Sequence, residues 1–306
     1  MKSDSPAAGR YRNECIACGA ARPIGEWSVT SSFFSERALL AKPEIISILK
    51  CSACGTQYFD LLVTEEQLSR LYDDYRGEEY FKQRHRFEPW YTRAINSGIG
   101  GDAEMNKRRA ALKGALAEAG VGDDFGSVLD HGGDRGQMLR DLRAGRRAVY
   151  EISGVACDPG IEPIAEADMR TVSWDLILSC HVLEHLTFPG AFVTDLVSLG
   201  RPGTIYYIEV PDESMPGCRF NATAIQRRWL GSLIAHPHLF KLFDFLSTGI
   251  RVRLGVGLPL LFFPLREHLT FFTVSGLKSL LTRKGMSVLT AKVLDTGHIG
   301  AVAVKS

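Results

Sequence analysis

The chain has 306 residues, enough for one large and one small domain. It is 45% hydrophobic and 23% charged, so it can bury a core, and a formal net charge of +1 argues against a dedicated nucleic-acid binder. Seven cysteines, no export signal in Met1–Arg10 and no apolar run of the ~20 residues a membrane span needs point to thiols or metal in a cytoplasmic protein, not to disulfides.

After a polar tail at 1–10, two C-x-x-C-G knuckles stand at Cys15–Gly19 and Cys51–Gly55. Each places two thiolates on one tight turn, and four thiolates complete a closed tetrahedral site of the structural zinc type. Unrelated buried cysteines are the plain alternative; a redox pair is disfavoured because no βαβ pattern surrounds either knuckle. Metal ligands are therefore expected at Cys15, Cys18, Cys51 and Cys54, with a folding role. Ile45–Leu49 and Gln57–Phe59 read as strands of the same small ribbon. Thr64 followed by Glu65, Glu66 and Gln67 reads as a capped helix start. The segment Leu68–Tyr91, rich in tyrosine, is expected to pack as a helical connector, with some rings free to line a cleft. The predicted organisation is a tail and ribbon at 1–62, a connector at 63–102, and a large domain at 103–306.

The large domain opens with a helix at Ala103–Ala119. Strands and helices then alternate as in a doubly wound α/β sheet. The strand Ser127–Asp130 runs into His131-Gly132-Gly133-Asp134-Arg135-Gly136, and a helix is predicted over Gly136–Ala144. A glycine turn ahead of a helix start suits a nucleotide, since the backbone can approach closely and the helix offers unpaired N–H groups. The phosphate-loop Lys-Ser/Thr pair and the dinucleotide G-x-G-x-x-G spacing are both absent. Strand two is predicted at Ala148–Ile152. Glu151, near its end, can accept both hydroxyls of a ribose. Further strands are expected at Trp174–Cys180, Gly203–Val210, Ser287–Lys292 and Ile299–Val304, and helices at Pro189–Leu199 and Phe271–Lys284. Residues 211–266 read as an insertion. Its segment 251–265, with eight large apolar residues from Leu254 to Leu265, is expected to be buried packing, a lid, or a peripheral membrane contact too short to span a bilayer.

The pattern Asp130-x-Gly132-x-x-x-Gly136 resembles motif I of the class I S-adenosylmethionine-dependent methyltransferases, with Asp134 where a middle glycine is usual. Trp174-Asp175-Leu176-Ile177, Val182-Leu183-Glu184-His185-Leu186 and Pro189 resemble a second segment of those enzymes. Arg266-Glu267-His268-Leu269-Thr270-Phe271-Phe272-Thr273 with Leu277, Leu280 and Leu281 resembles a third. The N-terminal ribbon and its connector are similar to those of zinc-ribbon sugar methyltransferases. The resemblance implies a Rossmann-like sheet of seven strands with a closing antiparallel hairpin. It also implies a cofactor site of Asp130, His131, Gly132, Gly133 and Gly136 (methionine and ribose end), Glu151 (ribose), Ile152 and Ser153 (adenine, with Asp168 a further acceptor), and Cys180 and His181 (sulfonium). His268 is the first candidate base, paired with Glu267, and His185 is the second. Leu265 stands where carbon-methylating relatives carry Tyr. The expected reaction is methyl transfer to a sugar hydroxyl of a nucleotide sugar or surface glycan. A methyltransferase for another small metabolite, or a methyltransferase-fold binding module without turnover, are the alternatives.

Overall fold

The computed structural model describes residues 13–75, 77–153, 155–213, 224–254 and 262–306, the side chains of 251 and 252 excepted. The expected tail and most of the stretch around Pro259 lie outside the described residues.

The strands are β1 (Ile24–Val29), β2 (Ile45–Lys50), β3 (Gln57–Phe59), β4 (Asp124–His131), β5 (Arg143–Tyr150), β6 (Glu162–Pro163), β7 (Trp174–Cys180), β8 (Gly200–Pro211), β9 (Thr270–Phe271), β10 (Met286–Val293) and β11 (His298–Lys305). Seven of them form one sheet in the order β6-β5-β4-β7-β8-β11-β10. The strands from β6 to β8 run parallel, and β11 alone is reversed, pairing antiparallel with β8 on one side and with β10 on the other to close the sheet. The chain starts at the centre with β4, moves outward through β5 and β6, then returns to β7 on the other side. Ligands of open α/β sheets bind at such a reversal, beyond the carboxyl ends of the strands.

Both faces of the sheet are covered, because neighbouring residues of a strand point to opposite sides. Val128, Leu176 and Leu178 face one core with Leu112 and Leu116 of helix Asp102–Glu118. Leu129 and Ile177 face the other, with Val193 and Leu196 of helix Pro189–Leu199 and Leu277 and Leu281 of helix Val274–Arg283. β7 and helix 189–199 have the bounds expected from the sequence.

The helix expected at 136–144 does not form. A single 3-10 turn, Gln137–Leu139, follows the glycine turn, and β5 already begins at Arg143. Six residues separate Gly136 from Arg143, under two helical turns, so nucleation would cost more than propagation returns. The segment is held from outside instead: Arg109 of helix 102–118 bonds Asp141 at 2.7 Å and the Gln137 carbonyl at 3.1 Å, and Arg140 bonds Asp158 at 2.7 Å. Methionine and leucine at 138, 139 and 142 are buried beneath it.

A second sheet, β1-β2-β3-β9, carries the ribbon. Its last strand comes from the far end of the chain, with Gln57 opposite Phe271 and Tyr58 opposite Thr270. That pairing takes Phe271 and Phe272 out of the helix expected at 271–284, which starts at Val274 with Thr273 as its N-cap. The connector forms helices Glu65–Tyr72, Glu78–Phe87 and Arg93–Gly98, the first closed by a capping box of Thr64 and Gln67. The insertion contributes helices Ala224–Ile234 and Pro237–Leu254. Phe262 packs beside Val29, Leu230 and Phe240, and Leu265 is buried with Phe59 and Phe271, so these two residues of the 251–265 segment face protein. Among the described residues no helix is long and apolar enough to cross a membrane.

Candidate active site and four-cysteine ribbon

The two knuckles fold identically. The Cys15 carbonyl accepts from Gly19 N–H and the Cys51 carbonyl from Gly55 N–H, each at 2.9 Å, with both glycines at positive φ (76° and 78°). Their thiols converge, Cys15 to Cys54 at 3.7 Å and Cys18 to Cys51 at 3.5 Å between sulfurs. Four sulfurs about 2.3 Å from a tetrahedral metal lie roughly 3.8 Å apart, close to these two separations, and all four sulfurs lie within 4.8 Å of one another, so the donor set fits zinc. The ribbon is docked on the large domain: Arg283 donates to the Ala17 carbonyl at 3.1 Å and Thr273 to the Cys54 carbonyl at 2.5 Å.

At the carboxyl edge of the seven-stranded sheet the glycine turn follows β4. Gly132 and Gly136 take φ of 77° and 80°, and Asp134 takes 53° in place of a glycine. Asp134 is secured there by its N–H to Glu151 Oε2 and its carboxylate to Gln137 Nε2, both 3.0 Å. A Cβ on Gly132 would stand 2.7 Å from Val182, and one on Gly133 would stand 2.3 Å from the Asp130 carboxyl carbon. The turn is thus tucked between the β7 loop and the Asp130 side chain. Asp130 is fully buried, and neither carboxylate oxygen has a hydrogen-bond partner among the described residues. Burial, against the opposing pull of Arg108, raises its carboxyl to about 7. An orphaned buried acid beneath a glycine turn fits the ammonium of a methionine-type ligand.

Glu151 also accepts from Ser153 N–H at 3.0 Å, so it braces the turn while keeping lone pairs for a ribose. Ile152 is 79% exposed and lies open beside it, with Ser153 also exposed. His131 is set between Tyr150 and Phe192, with ring centroids at 4.9 and 5.1 Å, and burial lowers it to about 4. Cys180 is buried at the end of β7, and burial raises its thiol well above the usual range.

His181 comes next, with φ of 58°, a conformation few non-glycine residues adopt. Its backbone N–H bonds the Glu209 carbonyl at 2.8 Å. His181 Nε2 lies 3.2 Å from Glu209 Oε1 and Nδ1 lies 3.3 Å from Glu184 Oε1. Glu209 also accepts from Arg108 and Tyr207, each at 2.6 Å, and His298 Nδ1 stands 3.3 Å from it. The expected site residues His185 and His268 meet here as well, with ring centroids 4.8 Å apart. His185 Nδ1 is 2.6 Å from the Tyr72 hydroxyl and 3.3 Å from the Glu267 carbonyl. Burial lowers His185 to about 4. His268 Nδ1 is 2.6 Å from Glu213 Oε2; burial opposes its charge, but Glu213 together with Glu184 and Glu267 outweighs burial and raises it to about 9. Of the adjacent pair, Glu267 anchors the loop, held by the Tyr80 hydroxyl and by Arg84 at 2.7 Å, whereas His268 faces His185.

Four of the eight histidines of the chain therefore gather around Glu184 and Glu209. Glu209, Arg108, His298, Glu213 and Tyr72 were not singled out from the sequence. A signal existed for Glu209: a carboxylate inside the apolar run Tyr206–Val210 is a charge the sheet must bury and pair. Leu265 is buried in the core between Val29 and Ser31 backbone partners, so no phenol occupies that position; Tyr72 and Tyr80 of the connector bring hydroxyls to the site from elsewhere.

A central first strand, a glycine turn over a buried acid and a reversed final hairpin define the class I S-adenosylmethionine-dependent methyltransferase architecture. The chain belongs to the methyltransferase-domain family, whose sequence model matches residues 102–291. No curated protein matches the sequence at a significant level. Among solved structures, the chain is similar to a Haloferax volcanii methyltransferase complexed with a methyltransferase activator (15% identity, TM-score 0.41, 71% of this chain and 96% of that one). It is similar to human N-acetylserotonin methyltransferase with S-adenosylmethionine (15%, 0.41, 80% and 60%). It is also similar to magnesium protoporphyrin IX methyltransferase from Synechocystis with S-adenosylhomocysteine (14%, 0.39, 78% and 92%). It spans 60% of the length of the human enzyme.

Proposed function

We propose that the protein transfers a methyl group from S-adenosylmethionine to a hydroxyl of a sugar, nucleotide-linked or within a glycan. The observation that carries this reading is the juxtaposition of two half-sites at one sheet edge: the glycine turn over the unpaired Asp130, and the histidine–carboxylate cluster beyond β7 and β8. Val182 packs on Gly132 and joins them. The choice of a sugar is supported by the ribbon and tyrosine connector, which resemble those of sugar methyltransferases, and by the polar character of the acceptor side.

S-adenosylmethionine supplies the methyl on a sulfonium, already a good leaving group. The chain must hold it, align the acceptor and remove the acceptor's proton. Asp130 would face the ammonium and Glu151 the ribose, with Ile152 and Ser153 against the adenine and Cys180 and His181 beside the sulfonium. His185, lowered to about 4 and so neutral, and His268, raised to about 9 and so able to accept a proton only above that pH, are the groups that would handle the acceptor's proton. The oxygen lone pair forms the new O–C bond as the S–C bond breaks, with its electrons passing to sulfur. The products are the methyl ether, neutral S-adenosylhomocysteine and one proton. Glu267, committed to Arg84 and Tyr80, positions the loop.

Calorimetric titration with S-adenosylhomocysteine tests the cofactor half. Glu151→Ala should weaken binding by roughly 1–3 kcal/mol, since it removes charge-assisted bonds to both the turn and the ribose. Tighter binding of NADH than of S-adenosylhomocysteine would overturn the assignment. A panel of nucleotide sugars screened for labelled methyl uptake tests the acceptor half; uptake only into non-sugar metabolites would refute it.

For the ribbon we propose one structural zinc on Cys15, Cys18, Cys51 and Cys54. Metal binding should supply folding free energy to a sheet too small to stabilise itself. Cys15→Ser is expected to abolish the zinc and raise hydrogen exchange in β1–β3, with S-adenosylhomocysteine binding retained. Purified protein without a bound metal in elemental analysis would contradict this.

A further inference from the structure

We infer that Glu184, His185 and His268 form a second metal site, distinct from the ribbon, that takes a divalent first-row transition-metal ion on the acceptor side. One carboxylate oxygen of Glu184 and one ring nitrogen of each histidine lie within 4.8 Å of one another. The independent sign of a missing ligand is Glu184 itself. It is fully buried, yet neither oxygen forms a hydrogen bond among the described residues. Imidazoles surround it without bonding it well: His181 Nδ1 stands 3.3 Å and His185 Nε2 3.8 Å from Oε1. The imidazoles hold this buried carboxylate charged, below its usual range, and a cation shared by all of them would take up the oxygens that no hydrogen bond satisfies.

The outer contacts are those of metal-binding histidines, whose second nitrogen is fixed by a carboxylate or carbonyl. His268 Nδ1 is on Glu213 at 2.6 Å. His185 Nδ1 is against Tyr72 and the Glu267 carbonyl. In both, Nε2 is the nitrogen left for a metal. The backbone locks the two halves together, Leu269 N–H bonding the Glu184 carbonyl at 2.7 Å. The neighbouring group His181, Glu209 and His298 is a poorer candidate, because Arg108 and Tyr207 already occupy both Glu209 oxygens. Two nitrogens and one oxygen suit borderline cations over calcium or magnesium, and three protein ligands leave coordination positions open. On the methyl-transfer reading above, on which this role rests, those positions would hold two adjacent hydroxyls of the acceptor and make the reacting one more acidic. The substrate class is then a vicinal diol.

The test is titration of Co²⁺ alone into protein that retains its ribbon metal, without cofactor, followed by visible absorption. One equivalent per chain with nitrogen and oxygen d–d bands and no thiolate charge-transfer band is expected. Glu184→Gln and His268→Gln should abolish those bands. Glu213→Gln, at a partly exposed position that does not endanger folding, should weaken Co²⁺ binding about 10–100-fold. No second equivalent, or one unchanged in Glu213→Gln and His268→Gln, overturns the site even if methyl transfer is observed. A second equivalent lost in these variants supports the site even if S-adenosylhomocysteine fails to bind, in which case it is the methyltransferase reading that falls.

Discussion

His268→Ala is expected to lower turnover by about 10²–10⁴ while leaving S-adenosylhomocysteine affinity nearly unchanged, the range for losing a group that handles the acceptor's proton. The side chain touches His185, Phe271 and Glu213, and makes no described contact with the glycine turn, Asp130 or Glu151. Because the fold raises this histidine from 6.5 to about 9, its loss should also lower stability at neutral pH, so turnover is compared well below the melting temperature of the variant. Turnover with saturating cofactor, set beside a calorimetric Kd, makes the check. A parallel fall in affinity and turnover would mark His268 as structural and leave His185 as the group to examine. The substitution removes a proton acceptor or a metal ligand alike, so the cobalt titration, not the rate, separates those roles.

Asp130→Asn should act in opposite directions on the empty and the loaded protein. Folding buries this carboxylate without a partner and raises it from 3.8 to about 7. The folded state then binds more protons than the unfolded one between those values. Stability from this group is complete below about pH 4 and is lost as pH rises to 7, with a span of about 4 kcal/mol. Asparagine carries no such charge, so the variant should be more stable than the parent at pH 8 and should lack this slope. Cofactor affinity should move the other way: the parent should bind S-adenosylhomocysteine more tightly as pH rises through about 7, and the variant should bind weakly at every pH. Denaturant melts and titrations at pH 5 and 8 decide it. A variant less stable than the parent at pH 8 would show that Asp130 already has a partner in the fold.

Local pattern made much of this legible in the sequence. β7 is an apolar run from Trp174 interrupted only by Asp175 and Ser179, and the helix after it begins at Pro189, so both starts are marked by side-chain chemistry. The cysteines could be grouped because spacing alone constrains a metal knuckle. The helix expected after Gly136 failed because its residues are helix-compatible one by one, while β5, drawn into register with β4 from Asp124 onward, leaves them no length. The next helix starts at Val274 and not at Phe271 for a related reason: Phe271 pairs with Gln57, a partner no local window contains. The same limit hid half of the acceptor side. Glu184 and His185 sit in a readable motif, but Glu209 and His298 are joined by the antiparallel return of β11, and Tyr72 arrives from the connector.

The placement of β9 also sets an order of events during synthesis. β3 leaves the ribosome long before its partner strand exists, and the contact between Cys54 and Thr273 spans 219 residues. Closing so long a loop is slow, and until then β3 presents an unpaired edge able to template association with another chain. All four cysteines, however, have emerged by residue 54. Zinc capture can therefore knit the two knuckles early and hold β1, β2 and β3 together while the large domain is made. On this view nascent chains starved of zinc should aggregate at the N-terminal sheet before any methyltransferase domain has formed.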